Sequence, residues 1–150
     1  MIPAGDCLFC AIIARDAPAT WVLETPEVAG FLDVRPVFKG HVLLVTRQHV
    51  DTLTELPDVL VSPLFCTTRR VAAAVRDGLG AQGTFVAMNN TVSQSVPHLH
   101  VHVVPRTRGD GLRGFFWPRT RYETSSEAES YAARIRASLT VGAGDPPPHP

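Results

Sequence analysis

The chain has 150 residues, of which 45% are hydrophobic and 19% are charged, and its formal net charge is zero. This composition is typical of one soluble globular domain, and the zero net charge argues against nonspecific nucleic-acid binding. No apolar run reaches the roughly 18 residues of a membrane span. Residues 1–7 lack the basic and apolar regions of a secretory signal, so we expect a cytoplasmic protein.

The first half of the chain predicts a short helix followed by three antiparallel strands. The helix covers residues 7–15, and the strands cover Trp21–Glu24, Val28–Asp33 and His41–Thr46. The third of these is an almost continuous apolar run, which is typical of a central strand buried on both faces. The short connections between the strands favour an antiparallel meander over parallel crossover units.

A long amphipathic helix is predicted over Asp58–Leu79. Its apolar residues recur at helical spacing. They are Val61, Leu64, Phe65, Thr68, Val71, Ala72, Val75 and Leu79. We expect Pro63 in the first turn with Ser62 as the N-cap, because proline inside a helix removes a backbone hydrogen bond. Cys66 lies on the apolar stripe, and we expect it in the core.

The rest of the chain predicts one further strand and one further helix beside the histidine segment. The strand covers Thr84–Asn89, and the helix begins at Ser126, which has capping-box spacing to Glu129. We expect residues 1–140 to form one domain. The composition of residues 141–150 predicts a flexible Pro/Gly-rich tail.

Three histidines alternate with apolar residues in the segment Pro97–Val104. In a strand, His98, His100 and His102 would share one face while the residues between them face the core. Burying three imidazoles without a function is costly, and imidazole is both a metal ligand and a group that titrates near neutral pH. From the residues alone, a multi-histidine metal site and nucleophilic catalysis by one ring both remain open.

Cys7 and Cys10 form a Cys-x-x-Cys pair near the start of the chain. A redox pair is disfavoured, because the strand that precedes such a pair in a thioredoxin-type βαβ unit is lacking. Two core thiols remain possible. A zinc site, in which two imidazoles complete a tetrahedron with the two thiolates, remains possible as well.

Taken together, these segments resemble the histidine triad (HIT) superfamily, and in particular its bacterial Hint-like branch. His98–Val104 matches the signature in which three histidines alternate with apolar residues. The other matching segments stand in the order that the family shows: Cys7–Ile13, Phe31–Asp33, Gly40–Leu43, His49 and Gln94–Val96. The resemblance covers about residues 5–120. It implies an α+β fold, with a HIT-type five-stranded antiparallel sheet, a long helix and a C-terminal helix, and it implies a homodimer.

The resemblance implies a hydrolase or transferase that acts at the α-phosphate of purine nucleoside phosphoramidates or adenylates. His100 would be the nucleophile that forms a covalent nucleotidyl-histidine, with its other ring nitrogen bonded to the carbonyl of His98. His102 would stabilise charge on the phosphate, and Ser95 would contact the leaving group. Ser93 stands where relatives of this branch commonly carry glycine, so the sequence departs from the family pattern at this position.

Nucleotide-binding roles are implied for a second set of residues. Asp33 would hold the ribose hydroxyls with its two acceptor oxygens, and a turn-capping aspartate is the alternative. Phe31, Leu32 and Val34 would enclose the base. The remaining pocket or supporting positions are Asn90, Gln94 and His41, with Arg106 and Trp117 as pocket or dimer candidates.

The resemblance further implies a structural zinc ion held by Cys7, Cys10, His49 and His98. No organic cofactor is expected. The expected partners are a purine nucleotide or nucleoside phosphoramidate and a second copy of the chain, with no nucleic acid and no membrane. Two alternatives are a dinucleoside polyphosphate hydrolase or phosphorylase and a nucleotide-binding module with little turnover. The presence of the nucleophile together with its phosphate and leaving-group contacts favours the enzyme.

Overall fold

A computed structural model describes residues 7–112 and 120–142, with side chains as far as Ala137. Trp117 lies outside these ranges, and so do residues 143–150, which make up most of the predicted tail. The two ranges belong to two compact units. In chain order, the elements of the first unit are α1 (Leu8–Ile13), β1 (Trp21–Glu24), β2 (Val28–Leu32), β3 (Val42–Thr46), a short 3-10 helix (Leu53–Glu55), α2 (Asp58–Leu79), β4 (Gly83–Ala87) and β5 (His100–Arg106). The second unit contains α3 (Ser125–Gly142). None of these described helices is both long and apolar enough to cross a membrane.

The five strands form one antiparallel sheet in the order β1-β2-β3-β5-β4. β3 and β5 are neighbours near the middle of the sheet, and their register places Leu43 opposite His102 and Val45 opposite His100. The sheet and the helices confirm the predicted α+β fold with five antiparallel strands. The meander predicted for the first three strands is also confirmed, since β2 pairs with both β1 and β3.

The two faces of the sheet carry separate hydrophobic clusters. On one face, Leu64 of α2 and Leu44 of β3 are fully buried in the larger cluster. On the other face, Phe9 of α1 packs edge-on against Phe31 of β2, with 5.5 Å between ring centroids. Because side chains alternate along a strand, β5 directs Val101 and Val103 towards α2, and it directs His100 and His102 towards α1.

α2 begins at Asp58, so Ser62 is not its N-cap and Pro63 lies inside the helix. The predicted range of the helix is therefore right, whereas the expected cap and the expected place of the proline in the first turn are wrong. Proline has no N–H group, so the carbonyl four residues earlier loses its helical partner. The helix nevertheless passes through this position, because Leu60 and Leu64 on either side of the proline are buried against the sheet and tertiary packing outweighs one lost hydrogen bond.

The buried face of α2 is rotated relative to the predicted stripe. The buried residues are Leu60, Leu64, Thr67, Thr68, Val71 and Val75. Val61 and Phe65 are 41% and 43% exposed, and Cys66 is exposed as well. The expectation that Cys66 lies in the core is therefore wrong. Two positions along a helix correspond to about 200° around its axis, so a helix that buries Leu64 turns Cys66 outward.

β5 begins at His100, which corrects the expectation that all three histidines lie within the strand. The His98 N–H donates to the Val96 carbonyl at 2.8 Å, and the Leu99 N–H donates to the Val50 carbonyl at 2.6 Å. These bonds take the backbone out of the ladder with β3. His98 therefore stands in a turn at the base of the strand.

In the second unit, Thr124 caps α3, which corrects the expected cap at Ser126. The Thr124 hydroxyl accepts a hydrogen bond from the Glu127 N–H at 3.0 Å. The Glu127 carboxylate accepts one from the Glu123 N–H at 2.6 Å. The Thr124 hydroxyl satisfies one of the free N–H groups of the first turn, so the helix can begin at Ser125. Ser126 therefore lies inside the helix.

Candidate functional site

A cavity of about 330 Å³ opens on the α1 face of the sheet, which is within the size range of small-molecule sites. Its apolar lining consists mainly of Leu8, Phe9, Ile12, Phe31, Leu32, Val34, Leu43 and Val96. Its polar side chains are Asp33, Arg35, Ser95, His100 and His102. The fold thus brings together one helix, three strands and the loops between them from distant parts of the sequence.

His100 is held in one tautomer by the backbone. It is buried, and its Nδ1 lies 2.7 Å from the carbonyl oxygen of His98. A carbonyl only accepts hydrogen bonds, so Nδ1 carries the proton and donates it. In the neutral ring, Nε2 then has a free lone pair. The Phe9 ring packs edge-on against this imidazole, with 5.2 Å between centroids. The neutral His100 ring therefore has its unprotonated nitrogen, Nε2, free of the bond to the backbone.

His102 is held in the opposite tautomer by His41. The Val37 N–H donates to Nδ1 of His41 at 3.2 Å, so the proton of the neutral His41 ring is on Nε2. That Nε2 lies 2.9 Å from Nδ1 of His102 and donates to it. Burial lowers the pKa of both rings, and both are neutral at pH 7. His102 must then carry its own proton on Nε2, where it can donate to an anionic oxygen.

Protonation of His102 should make the folded protein less stable in acid. Burial holds the pKa of His102 at about 4, below its usual value of 6.5, and the nearby imidazoles of His100 and His41 add to the effect. The unfolded chain therefore binds more protons than the folded chain between about pH 6.5 and pH 4, so the free energy of unfolding falls as the pH falls through this window. In thermal melts between these pH values, we expect the melting temperature of His102→Gln to decrease less than that of the wild type as the pH is lowered. Parallel curves would contradict this assignment.

Asp33 stands at the polar lining and already serves the local turn. One carboxylate oxygen accepts a hydrogen bond from the Arg35 N–H at 2.8 Å, which is the turn-capping role weighed above. The other oxygen lies 3.6 Å from Nδ1 of His41. Asp33 is therefore both a turn residue and a cavity residue, and its second oxygen remains able to accept from a ligand hydroxyl.

Of the other predicted pocket residues, some line the cavity and others contact only protein groups. Phe31 is buried in the wall, whereas Val34 contributes to the lining with 86% of its surface exposed. His41 is 2% exposed and supports His102. Asn90 and Gln94 hydrogen-bond to protein groups, and neither is among the described residues of the cavity wall.

Cys7, Cys10, His49 and His98 converge near the base of β5, and we call them the Cys2His2 cluster. Their ligand atoms all lie within 4.8 Å of one another. Cys7 Sγ is 3.4 Å from Nδ1 of His98, and Cys10 Sγ is 3.2 Å from Nδ1 of His49. Tetrahedral zinc–sulfur and zinc–nitrogen bonds separate such atoms by about 3.5 Å. The four residues can hold a metal ion.

The tautomers of the two cluster histidines also fit a metal. His98 Nε2 donates to the Thr46 carbonyl at 2.8 Å, and His49 Nε2 lies 2.8 Å from the Asp51 carboxylate. In its neutral form, each ring therefore presents an unprotonated Nδ1 to the two sulfurs. A carboxylate behind a ligating histidine is the usual support of such sites. Sequence reasoning missed Asp51, although a carboxylate two residues after a candidate ligand is a usable signal.

Ionisation of the Cys10 thiol is unfavourable in the folded protein. Burial and contacts with Cys7 raise the pKa of Cys10 to about 11. A divalent cation reverses this preference, because thiolates are its ligands and their negative charges neutralise it. The donor set of two sulfurs and two imidazole nitrogens is one that zinc prefers.

A sequence model of the HIT domain matches residues 14–109. The chain is 38% identical over 117 residues to the protein named "Protein hit" of Bacillus subtilis, which covers 76% of this chain and 80% of that protein. It is 31% identical over 115 residues to the adenosine 5'-monophosphoramidase hnt1 of Schizosaccharomyces pombe, covering 75% of this chain and 84% of that protein.

The fold is also similar to solved structures. The crystal structure of a zinc-bound histidine triad family protein from Mycobacterium smegmatis aligns with a TM-score of 0.70 and 35% sequence identity. The alignment covers 91% of this chain and 99% of that one. That protein is described as zinc-bound, and the donor set of the Cys2His2 cluster is consistent with the same metal.

Proposed function

Because the chain belongs to the HIT domain family, we propose that it is a nucleotide hydrolase or transferase. Its substrates would be purine nucleoside phosphoramidates or adenylates, attacked at the α-phosphorus with formation of a covalent nucleotidyl-histidine. The observation that carries the proposal is the 2.7 Å hydrogen bond from His100 Nδ1 to the His98 carbonyl, in a ring that lines the cavity. This bond leaves Nε2 free for attack.

In the first step, Nε2 of His100 attacks the α-phosphorus, and a phosphorus–nitrogen bond to the protein forms. The bond to the leaving amine or acyl oxygen breaks, and an amine takes up a proton from solvent as it leaves, which the attacking water of the second step returns. Ser95, which lines the same cavity, contacts the leaving group. The Nε2–H of His102 donates to a phosphate oxygen and stabilises the charge that develops there. In the second step, water attacks the same phosphorus, the bond to His100 breaks, and nucleoside monophosphate leaves.

The Cys2His2 cluster would hold a structural zinc ion. Four protein ligands leave no coordination position for substrate, so the metal would tie α1 to the base of β5. His98 then has two functions in separate atoms. Its ring faces Cys7 and Cys10, and its backbone carbonyl orients His100.

A substrate panel tests the reaction class. We expect the protein to release AMP from adenosine 5'-phosphoramidate without added orthophosphate, as a relative named for that activity supports. Aminoacyl adenylates and dinucleoside polyphosphates complete the panel. Turnover that requires orthophosphate and yields nucleoside diphosphate would identify the phosphorylase alternative. AMP binding without turnover of any substrate would identify the binding module.

The proposal includes a homodimer that covers β4 and the exposed side of α2. β4 is an edge strand, and pairing at an open edge is a common route to association. Val86 of β4 is 43% exposed, and Val61 and Phe65 of α2 are exposed to a similar extent. Large exposed apolar groups of this kind mark interaction surfaces when they are contiguous.

Light scattering should report a molar mass twice that of one chain, and Val86→Lys should reduce it to that of the monomer. A buried lysine at the interface would leave an unpaired charge. Val22→Lys is the matched control, because Val22 is 45% exposed on the opposite edge strand β1. A dimer that survives Val86→Lys, or that dissociates only in Val22→Lys, would place the interface elsewhere.

A further inference from the structure

The loop that carries Ser95 is hydrogen-bonded to the segment that carries the cluster ligand His49. We call residues 89–97 the pocket loop and residues 49–53 the ligand segment. The side-chain amide nitrogen of Gln94 donates to the Asp51 carbonyl at 2.6 Å. The carboxylate of the same Asp51 accepts from Nε2 of His49 at 2.8 Å. One residue therefore orients a cluster ligand with its side chain and anchors the pocket loop with its backbone.

The polar atoms of the Gln94 side chain are engaged within the protein. Its amide oxygen accepts a hydrogen bond from the Thr91 N–H at 2.8 Å, while its amide nitrogen donates to Asp51. The side chain therefore bridges the pocket loop and the ligand segment. This geometry separates its role from that of Ser95, its neighbour in sequence, which lines the cavity.

One more bond joins the same segments, and another follows just after the pocket loop. The Asn90 side-chain oxygen accepts from the Leu53 N–H at 2.7 Å. The Leu99 N–H donates to the Val50 carbonyl at 2.6 Å. The chain is thus hydrogen-bonded to the ligand segment both before and after Ser95.

The backbone of the pocket loop needs such support. Thr91 and Ser93 have φ values of 67° and 61°, in the left-handed region that favours glycine. Conformations of this kind persist where surrounding contacts determine them. The Gln94 and Asn90 bonds supply contacts of that kind, since both fasten the loop to the ligand segment.

We propose that Gln94 is a positioning residue that couples metal binding at the Cys2His2 cluster to nucleotide binding in the cavity. A metal ion that fixes His49 also restricts Asp51, and through Gln94 it restricts the backbone that presents Ser95. The inference rests on the proposed function, because it assumes that the cavity binds a nucleotide. Coupling between two binding sites is reciprocal, so the nucleotide should also strengthen metal binding.

The test measures the affinity for zinc by competition with a chromophoric chelator, with and without saturating AMP. In the wild type, we expect AMP to tighten zinc binding by about three- to tenfold, which is the range for one or a few hydrogen bonds. In Gln94→Glu, the ratio of the zinc dissociation constant without AMP to that with AMP should fall close to one. That variant keeps the oxygen that accepts from Thr91 and loses the N–H that donates to Asp51. Its added charge weakens AMP binding in both metal states, so this effect cancels in the ratio.

Val92→Ala is the matched control, because Val92 lies in the same loop and is 79% exposed. It should keep the wild-type ratio. A ratio of one in the wild type, or an unchanged ratio in Gln94→Glu, would overturn the coupling. Titration of AMP alone keeps the two proposals apart. Normal AMP binding without coupling refutes only this inference, whereas the absence of AMP binding refutes the proposed function and this inference with it.

A second readout comes from the leaving group. If Gln94 positions Ser95, Gln94→Glu should lower kcat more for phosphoramidates of strongly basic amines than for those of weakly basic amines. A weakly basic amine leaves without much assistance, so it depends little on Ser95. An equal loss for both classes would indicate a general structural effect, and it would overturn the positioning role.

Discussion

Replacing His100 with alanine or asparagine is expected to lower the turnover of adenosine 5'-phosphoramidate by about four orders of magnitude or more. The His98 carbonyl holds Nδ1 of this ring at 2.7 Å and leaves Nε2 as the nucleophile. Neither replacement offers a nucleophilic nitrogen at that position. Intact-mass spectrometry of the wild type, quenched during turnover at neutral pH, should detect a chain with one nucleotidyl group. The two variants should lack it.

The two variants form a matched pair. The asparagine amide nitrogen can take the place of Nδ1 and donate to the His98 carbonyl, whereas alanine cannot. Equal loss of turnover in both, with AMP binding retained, supports nucleophilic attack. Substantial turnover by the asparagine variant would mean that His100 acts through its hydrogen bond, and it would contradict the covalent mechanism.

Removing the Cys10 thiol is expected to remove bound zinc and to lower the melting temperature by roughly 10 °C or more. A metal that binds only the folded state stabilises it by about 4 kcal/mol when its free concentration is a thousandfold above Kd. Cys10 is the better target, because Cys7 is 3% exposed and its replacement would also disturb packing. Elemental analysis and thermal melts of Cys10→Ala measure both effects.

Cys66→Ala is the control for this experiment, because Cys66 is an exposed thiol on α2 outside the cluster. It should keep one zinc per chain and the wild-type melting temperature. A chelator should lower the melting temperature of the wild type and of Cys66→Ala, and it should have little effect on Cys10→Ala. Equal melting temperatures of Cys10→Ala and Cys66→Ala would contradict a structural zinc site. A zinc content of only a small fraction of an equivalent in the purified wild type would contradict it as well.

The elements themselves were accessible from local patterns. The alternation in the histidine segment predicted that His100 and His102 share one face, and β5 places both on the α1 face. The bounds predicted for the long helix agree with those of α2. The spacing of apolar residues along an element indicates its type and its extent, and this spacing is a property of the local sequence.

Errors arose where tertiary contacts override a local pattern. Cys66 has helical spacing from apolar residues, but the sheet contacts α2 through the neighbouring face. His98 fits the alternation of the strand, but the bond from the next N–H to Val50 draws it into a turn. In both cases the deciding partner lies elsewhere in the chain, so the local sequence carries no trace of it.

The sequence by itself determined the fold class, the family and the side chains that can react, because residue types and their spacing are local properties. Only the tertiary structure decided which atom of each side chain is available. His41 lies 61 residues from His102, and Gln94 lies 43 residues from Asp51. The tautomer of His102 and the position of the pocket loop each depend on one of these long-range hydrogen bonds. A hydrogen bond requires atomic positions that spacing along the chain does not specify.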